Sequence, residues 1–266
     1  MPNHPPPATR HQLTIGWLYP DLMSTYGDRG NIICLQKRCE WRGIATKIIN
    51  IDPSTSEHGL STIDLLFGGG AQDREQTLVM RDLRGSKKKA IIELIEHNIP
   101  SLFVCGAPQL MGEYYEPAKG ERIEGLGIFA MHSKHPGPAA DRLIGNTVAE
   151  VSWNNLGEPD HPQTHIVGFE NHGGRTYLNR SAKPFATVVK GYGNNGEDRT
   201  EGIVHKNAIG CYFHGPLLPK NPVIADWLIK KALEVKYQTK IELAVLDDKV
   251  ENRAQAAIVS RLGVSV

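Results

Sequence analysis

A nucleophile, an acid–base partner and a set of backbone donors can each be sought here by residue type and local setting. Cys105 is the first candidate. It ends the apolar run Ser101-Leu-Phe-Val, is followed by Gly106, and stands where a helical stretch begins. A thiol on a sharp strand-to-helix turn is raised above a sheet rim, and the helix N-terminus favours its thiolate. The N–H groups of such a turn, that of Gly106 among them, point to where an oxyanion would form. The alternative is a structural thiol buried in an apolar strand. Cys34, Cys39 and Cys211 lack this setting and read as core or helix-face thiols. His214, in Gly210-Cys-Tyr-Phe-His-Gly-Pro, lies at a strand end before a turn. Alone it is an ordinary turn histidine. Beside an activated thiol it is the natural acid and base, with an unperturbed pKa of about 6.5. Gly68-Gly69-Gly70 closes another strand. It either offers a further N–H to an oxyanion or is only a tight turn.

Other patterns are set aside. Gly191-Tyr-Gly-Asn-Asn-Gly196 spells a dinucleotide-binding fingerprint, but a polar stretch and a strand follow it instead of a helix, so a hairpin turn is the better reading. His132-x-x-His135 and His161-x-x-x-His165 have Pro136 and Pro162 beside or inside them and no Cys or acidic residue at zinc spacing. No metal site is expected. No phosphate-binding loop of the G-x-x-x-x-G-K-[ST] type is present.

The elements that must position these groups follow from short apolar runs and their punctuation. Strands are expected at Gln12–Leu18, Thr46–Ile51, Ile63–Phe67 and Ser101–Val104. Helices are expected near Asn31–Arg42, Asp73–Leu83, Lys87–His97 and from Gly106 through Glu113. This alternation argues for a parallel α/β sheet. After Gly125, runs at 146–153, 164–169, 185–190, 202–205 and 208–213 leave little room for helices and read as a mixed or antiparallel extension of that sheet. Pro219 to Lys236 is helical. The tail from Lys240 sets Leu243, Leu246, Val250, Ala254 and Ala257 at amphipathic-helix spacing. The expected organisation is a Pro-rich leader (1–10), one domain (11–238) and a helical tail (239–266).

Composition bounds the rest. Thirty basic against 29 acidic residues leave a net charge of +1, which disfavours a nucleic-acid partner. No run approaches the roughly 20 apolar residues of a membrane span. Four cysteines in no C-x-x-C pair, behind a start with no apolar export signal, suggest reduced thiols in a cytoplasmic protein.

Seven segments, in order, resemble the CobB/CobQ type of class I glutamine amidotransferase. They are Tyr26-Gly-Asp-Arg-Gly-Asn-Ile-Ile, Phe67-Gly-Gly-Gly-Ala-Gln-Asp-Arg-Glu-Gln, Val104-Cys-Gly-Ala-Pro-Gln-Leu-Met-Gly, Glu124-Gly-Leu-Gly-Ile, Asp141-Arg-Leu-Ile-Gly, Gly168-Phe-Glu-Asn-His-Gly-Gly-Arg-Thr and Tyr212-Phe-His-Gly-Pro-Leu-Leu-Pro-Lys-Asn-Pro. The resemblance covers roughly Leu13 to Ala232. It implies a flavodoxin-like α/β fold with Cys105 as nucleophile, His214 as its partner, and an oxyanion hole drawn from Gly69, Gly70 and Gly106. It further implies Gln109 beside the substrate glutamine and Arg142 on its carboxylate, a match that a guanidinium fork suits. Glu170 is carried as a substrate-binding residue, and both it and Arg175 are open to a structural role. Two departures stand out. Ala107-Pro108 follows the Cys-Gly pair, and Pro108 lacks an N–H. His214-Gly-Pro216 lacks the acid that orients the histidine in more distant enzymes, so a Cys–His dyad, helped by an acid from elsewhere, is expected.

Within that family the resemblance is to glutaminase subunits that release ammonia from L-glutamine for a partner. The chain itself implies no cofactor. ATP and Mg are expected in the partner, a MurT-like Mur ligase subunit forming a heterodimer and reaching lipid II, whose D-glutamate α-carboxyl would be amidated to D-isoglutamine in peptidoglycan synthesis. The alternatives are a cobyric-acid-synthase-like amidotransferase and a catalytically inactive scaffold of the same fold.

Overall fold

Strands buried on both faces make the centre of the molecule, as the short apolar runs require. The computed structural model describes residues 11–25, 27–162 and 165–264. The expected leader therefore lies outside the described residues. The central strands are β1 (Gln12–Leu18), β2 (Ala45–Ile51), β3 (Leu65–Gly68) and β4 (Ser101–Val104). The intervening helices are α1 (Arg29–Glu40), the short α2 (Glu57–Leu60), α3 (Asp73–Asp82) and α4 (Lys88–Glu96). A π-helical turn, Leu83–Lys87, joins the last two. After β4 comes α5 (Gly106–Met111).

The later strands are β5 (Tyr114–Glu116), β6 (Ile123–Glu124), β7 (Met131–Lys134), β8 (Leu143–Val151), β9 (His165–His172), β10 (Arg175–Leu178), β11 (Ala186–Lys190), β12 (Thr200–Glu201), β13 (Ile203–His205) and β14 (Ala208–Cys211). The chain closes with α6 (Pro222–Tyr237) and α7 (Lys249–Arg261).

The central sheet runs β13-β14-β4-β3-β1-β2, and only β13 is antiparallel to its neighbour. Leaving out β13, this is the 2-1-3-4-5 order of flavodoxin-like proteins, which bind ligands beyond the carboxyl ends of the strands. Alternate residues feed two cores. Leu65, Phe67, Leu102 and Val104 face α1 and α6, while Leu66 and Phe103 join the core under α3 and α4. The expected extension of the central sheet is instead two further four-stranded sheets, β10-β7-β5-β6, mixed through the parallel pair β5–β7, and the antiparallel β12-β11-β8-β9. A bridge between Phe169 and His214 couples the second of these to the end of β14.

The tail differs from its expected form. Residues 240–248 carry no helix, and α7 starts only at Lys249. Val250 is 74% exposed, and Ala254 and Ala257 also face outward. The face that packs holds Val259 against Val148 and Val167, with Gln255 donating to the His165 carbonyl at 3.2 Å. The tail is pinned by charge. Buried Arg38 of α1 bonds Asp226 of α6 at 2.6 Å and Asp248, just before α7, at 2.6 Å. Among the described residues no helix is long and apolar enough to cross a membrane.

Candidate active site

Register brings the chemistry to one rim. Cys211 pairs with Val104 and Gly68 with Phe103, so the chain leaves β3, β4 and β14 at one edge of the sheet. Cys105 is the first residue beyond β4. Its φ of 55° and ψ of −100° lie far from the basins of an L-residue, a strain of about 1–3 kcal/mol that the surroundings must hold. They do so through the Cys105 N–H, which bonds the Cys211 carbonyl at 2.8 Å, and through α5, which starts at Gly106. Cys105 is 8% exposed, at the wall of a cleft of about 520 Å³.

His214 and Asp28 complete the cluster. His214 Nδ1 lies 3.1 Å from Asp28 Oδ1, and both side chains are fully buried. Asp28 Oδ2 accepts the Gly70 N–H at 2.6 Å, which fixes the carboxylate in turn. Gly70 marks the meeting point. A Cβ there would stand 2.9 Å from His214 Cε1, 3.2 Å from Asp28 Oδ2 and 3.4 Å from Cys105 Cβ, so no larger residue fits without displacing one of them. Burial disfavours the charged imidazole. The facing Cys105 sulfur and the hydrogen-bonded Asp28 outweigh it and hold His214 protonated well above the usual histidine range. Asp28 escaped the reading of the sequence as a site residue. It lies in a turn just before α1, 186 positions from His214, and the only signal was its place in the Tyr26-Gly-Asp-Arg-Gly-Asn segment.

The Gly70 N–H is committed to Asp28, and Gly69 is packed against the Met23 carbonyl and the Asp28 side chain. Ala71 takes the place beside the nucleophile. A Cβ on Gly106 would come 2.9 Å from the Ala71 nitrogen, so only glycine lets the two backbones approach this closely. Gly106 opens α5, where N–H groups have no intrahelical acceptor. Pro108 sits in that same first turn, so the N–H it lacks is one the helix would have left unpaired anyway.

The other expected residues divide. Gln109 lines the cleft, its amide oxygen taking Gln76 Nε2 at 3.0 Å and its nitrogen donating to the Tyr212 hydroxyl at 3.1 Å. Arg142 also lines it, held by Asn171 through Nε at 3.0 Å and Nη2 at 2.9 Å. Arg175 donates to the Gly173 and Asp141 carbonyls, bracing the wall that carries Arg142. Glu170 does not line the cleft. Its buried carboxylate accepts the Tyr192 and Gly193 N–H groups at 2.9 and 2.8 Å, and burial pushes its pKa up. That geometry serves the 191–193 turn. No group of three or more His, Cys, Asp or Glu side chains suited to a metal occurs among the described residues. If Arg142 takes the substrate carboxylate, Arg142→Ala should raise the glutamine KM by about tenfold or more with a smaller change in kcat; a fall in melting temperature with unchanged kinetics would make it structural.

A thiol and an imidazole oriented by a carboxylate, beside a cleft where the Gly106 and Ala71 backbones pack closely, have the parts required for acyl transfer. The family model of the CobB/CobQ-like glutamine amidotransferase domain matches residues 14–222. The chain belongs to that family. It is thus a glutamine amidotransferase, an enzyme of the glutaminase class. Among curated relatives, the lipid II isoglutaminyl synthase (glutamine-hydrolyzing) subunit GatD of Staphylococcus aureus is 38% identical over 251 residues, 94% of this chain and 96% of its own. The subunit of the same name from Streptococcus pneumoniae is 39% identical over 240 residues, 90% of this chain and 87% of its own. A probable cobyric acid synthase of Methanothermobacter thermautotrophicus is 26% identical and is matched over only 31% of its length. Among solved structures, a glutamine amidotransferase crystal structure superposes with a TM-score of 0.56 at 13% identity, over 82% of this chain and 98% of the other. PurLQS from Thermotoga maritima gives 0.54 at 14%, over 87% and 100%. Both share the fold with this CobB/CobQ-like member.

Proposed function

We propose that this chain is the glutaminase subunit of a lipid II isoglutaminyl synthase, using Cys105, His214 and Asp28 as its catalytic set. The Cys105–His214–Asp28 convergence at Gly70 carries the chemical part of this reading. End-to-end similarity to two subunits of that synthase supports the biological part.

The Cys105 thiolate attacks the carboxamide carbon of L-glutamine, and Gly106 and Ala71 N–H groups receive the oxyanion. Collapse breaks the carbon–nitrogen bond as His214 gives its proton to the leaving ammonia. His214 then takes a proton from water, which attacks the γ-glutamyl thioester, and glutamate leaves with the thiolate restored. Arg142 holds the substrate carboxylate and Gln109 lines the bound side chain. Ammonia at neutral pH is mostly ammonium, so it is passed directly to an acceptor on a second subunit. That subunit is a MurT-like Mur ligase, which activates the D-glutamate α-carboxyl of lipid II with ATP and Mg in the cytoplasm. This chain itself needs no cofactor for the glutaminase step.

The test supplies the chain with L-glutamine, ATP, Mg and lipid II, with and without a Mur-ligase-like subunit. Glutamate and D-isoglutamine should form in equal amounts only with both subunits present. Glutamate release without amidation of the acceptor would overturn the lipid II reading and leave the glutaminase.

A further inference from the structure

His172 is a buried group on the cleft wall that the mechanism above does not use. Its ring stacks on Tyr212 with centroids 3.9 Å apart, and it is only 2% exposed. Nδ1 lies 2.8 Å from the Gly174 carbonyl oxygen. A carbonyl only accepts, so Nδ1 carries the hydrogen and Nε2 presents a lone pair. That lone pair has no partner among the described residues. Burial pushes the pKa of His172 down to about 3, with Arg175, His214 and Arg142 adding to the effect, so the ring remains a neutral acceptor throughout the range in which proteins work. A buried acceptor without a donor is destabilising, and at a ligand cleft an N–H of the ligand can supply that donor.

The neighbours of His172 say which donor. Asn171, immediately before it, holds Arg142 by two hydrogen bonds. Gly173, immediately after it, lies so close to Arg142 that a Cβ there would be 3.4 Å from Nη1. An α-amino acid carries its carboxylate and its ammonium on one carbon, so a site that takes the carboxylate must have its ammonium acceptor close by. We propose that His172 Nε2 accepts a hydrogen bond from the α-ammonium group of bound L-glutamine and makes the cleft specific for an α-amino acid over a plain amide. The ammonium has further N–H groups, and a second buried acceptor lining the same cleft, Gln76 Oε1, is also without a partner among the described residues. Gln76 cannot simply be turned round, because its Nε2 already serves the Ala71 carbonyl at 3.1 Å and Gln109 Oε1 at 3.0 Å.

This inference rests on the site reading given above, and the two are tested separately. Wild-type turnover of L-glutamine that disappears in Cys105→Ala upholds the site; its persistence overturns the site, whatever His172 does. For His172, kcat/KM is compared between L-glutamine and glutaramate, the same amide without the ammonium. If glutaramate turnover is too slow to follow, its Ki against L-glutamine replaces it. His172→Phe keeps a ring on Tyr212 but has no lone pair. It should lose about tenfold or more on L-glutamine and less than about twofold on glutaramate. His172→Asn, a second variant should the first not fold, keeps a donor for Gly174 but stops short of the Nε2 position, and should show the same selective loss. Equal losses on both compounds, or no loss on L-glutamine, would overturn the proposal and leave His172 as a packing residue.

Discussion

Cys105→Ala should abolish glutamate release, a loss of about 10⁴-fold or more, while the fold survives. The expectation follows from how little else the residue does. Its backbone N–H, not its side chain, ties the turn to β14. The thiol is packed but stands at the cleft. Alanine tolerates the unusual φ no worse than cysteine, so stability should change by less than about 1 kcal/mol. A chain that melts normally, binds glutamine and releases no glutamate is the expected result. Retained turnover would remove the nucleophile from the mechanism, and with it the roles of Gly106 and Ala71.

Asp28→Asn is the more discriminating experiment. It is nearly isosteric, but it replaces an acceptor-only carboxylate with an amide that is as able to donate as to accept. The loss in kcat should be about 10²–10⁴-fold, the scale seen when the orienting acid of a hydrolytic triad is neutralised. The pH profile gives the signature. Burial opposes protonation of His214, and Cys105 and Asp28 together reverse that. Removing the Asp28 charge therefore lowers the His214 pKa. The imidazolium that must protonate ammonia is then lost at lower pH, so the alkaline limb of kcat/KM should move down. The acid limb should change less. A uniform fall in rate with both limbs in place would show that Asp28 merely shapes the loop through Gly70.

The contrast between Cys105 and Asp28 shows what sequence can reveal. Cys105 was legible because its whole setting is local, with an apolar strand, a glycine and a helix start lying within a few residues. His214 gained meaning from its pairing with that cysteine. Asp28 sits in a turn and owes its role to a contact across 186 positions, which no local periodicity reports. The same reasoning covers the backbone donors. Three glycines in a row suggest close approach, but which N–H stays available depended on where the Asp28 carboxylate came to rest. Glu170 was open to a substrate or a structural role, and only the fold brought its carboxylate to the Tyr192 and Gly193 N–H groups.

Strands β1, β3, β4 and β14 were read close to their true limits because each is a short apolar run with little exposure on either face. Strands β5, β6, β7, β10 and β12 went unseen. They have two to four residues each, too few for alternation to register. In the tail, counting apolar residues chose the wrong face of α7. The packed side includes Gln255, whose amide satisfies backbone and side-chain acceptors that an aliphatic residue would leave bare. Hydrophobic spacing is blind to an inward-facing polar contact of that kind.

Arg38 gives the tail a significance its sequence does not advertise. The guanidinium lies two to three turns along the same helix that begins directly after Asp28, and one of its two counter-ions is supplied by Asp248. A chain shortened before that aspartate would keep every group in the cleft yet leave a buried cation with one counter-ion fewer, on the helix that begins directly after the imidazole's anchor. Trimming the carboxyl terminus is thus a way to disturb catalysis from a distance.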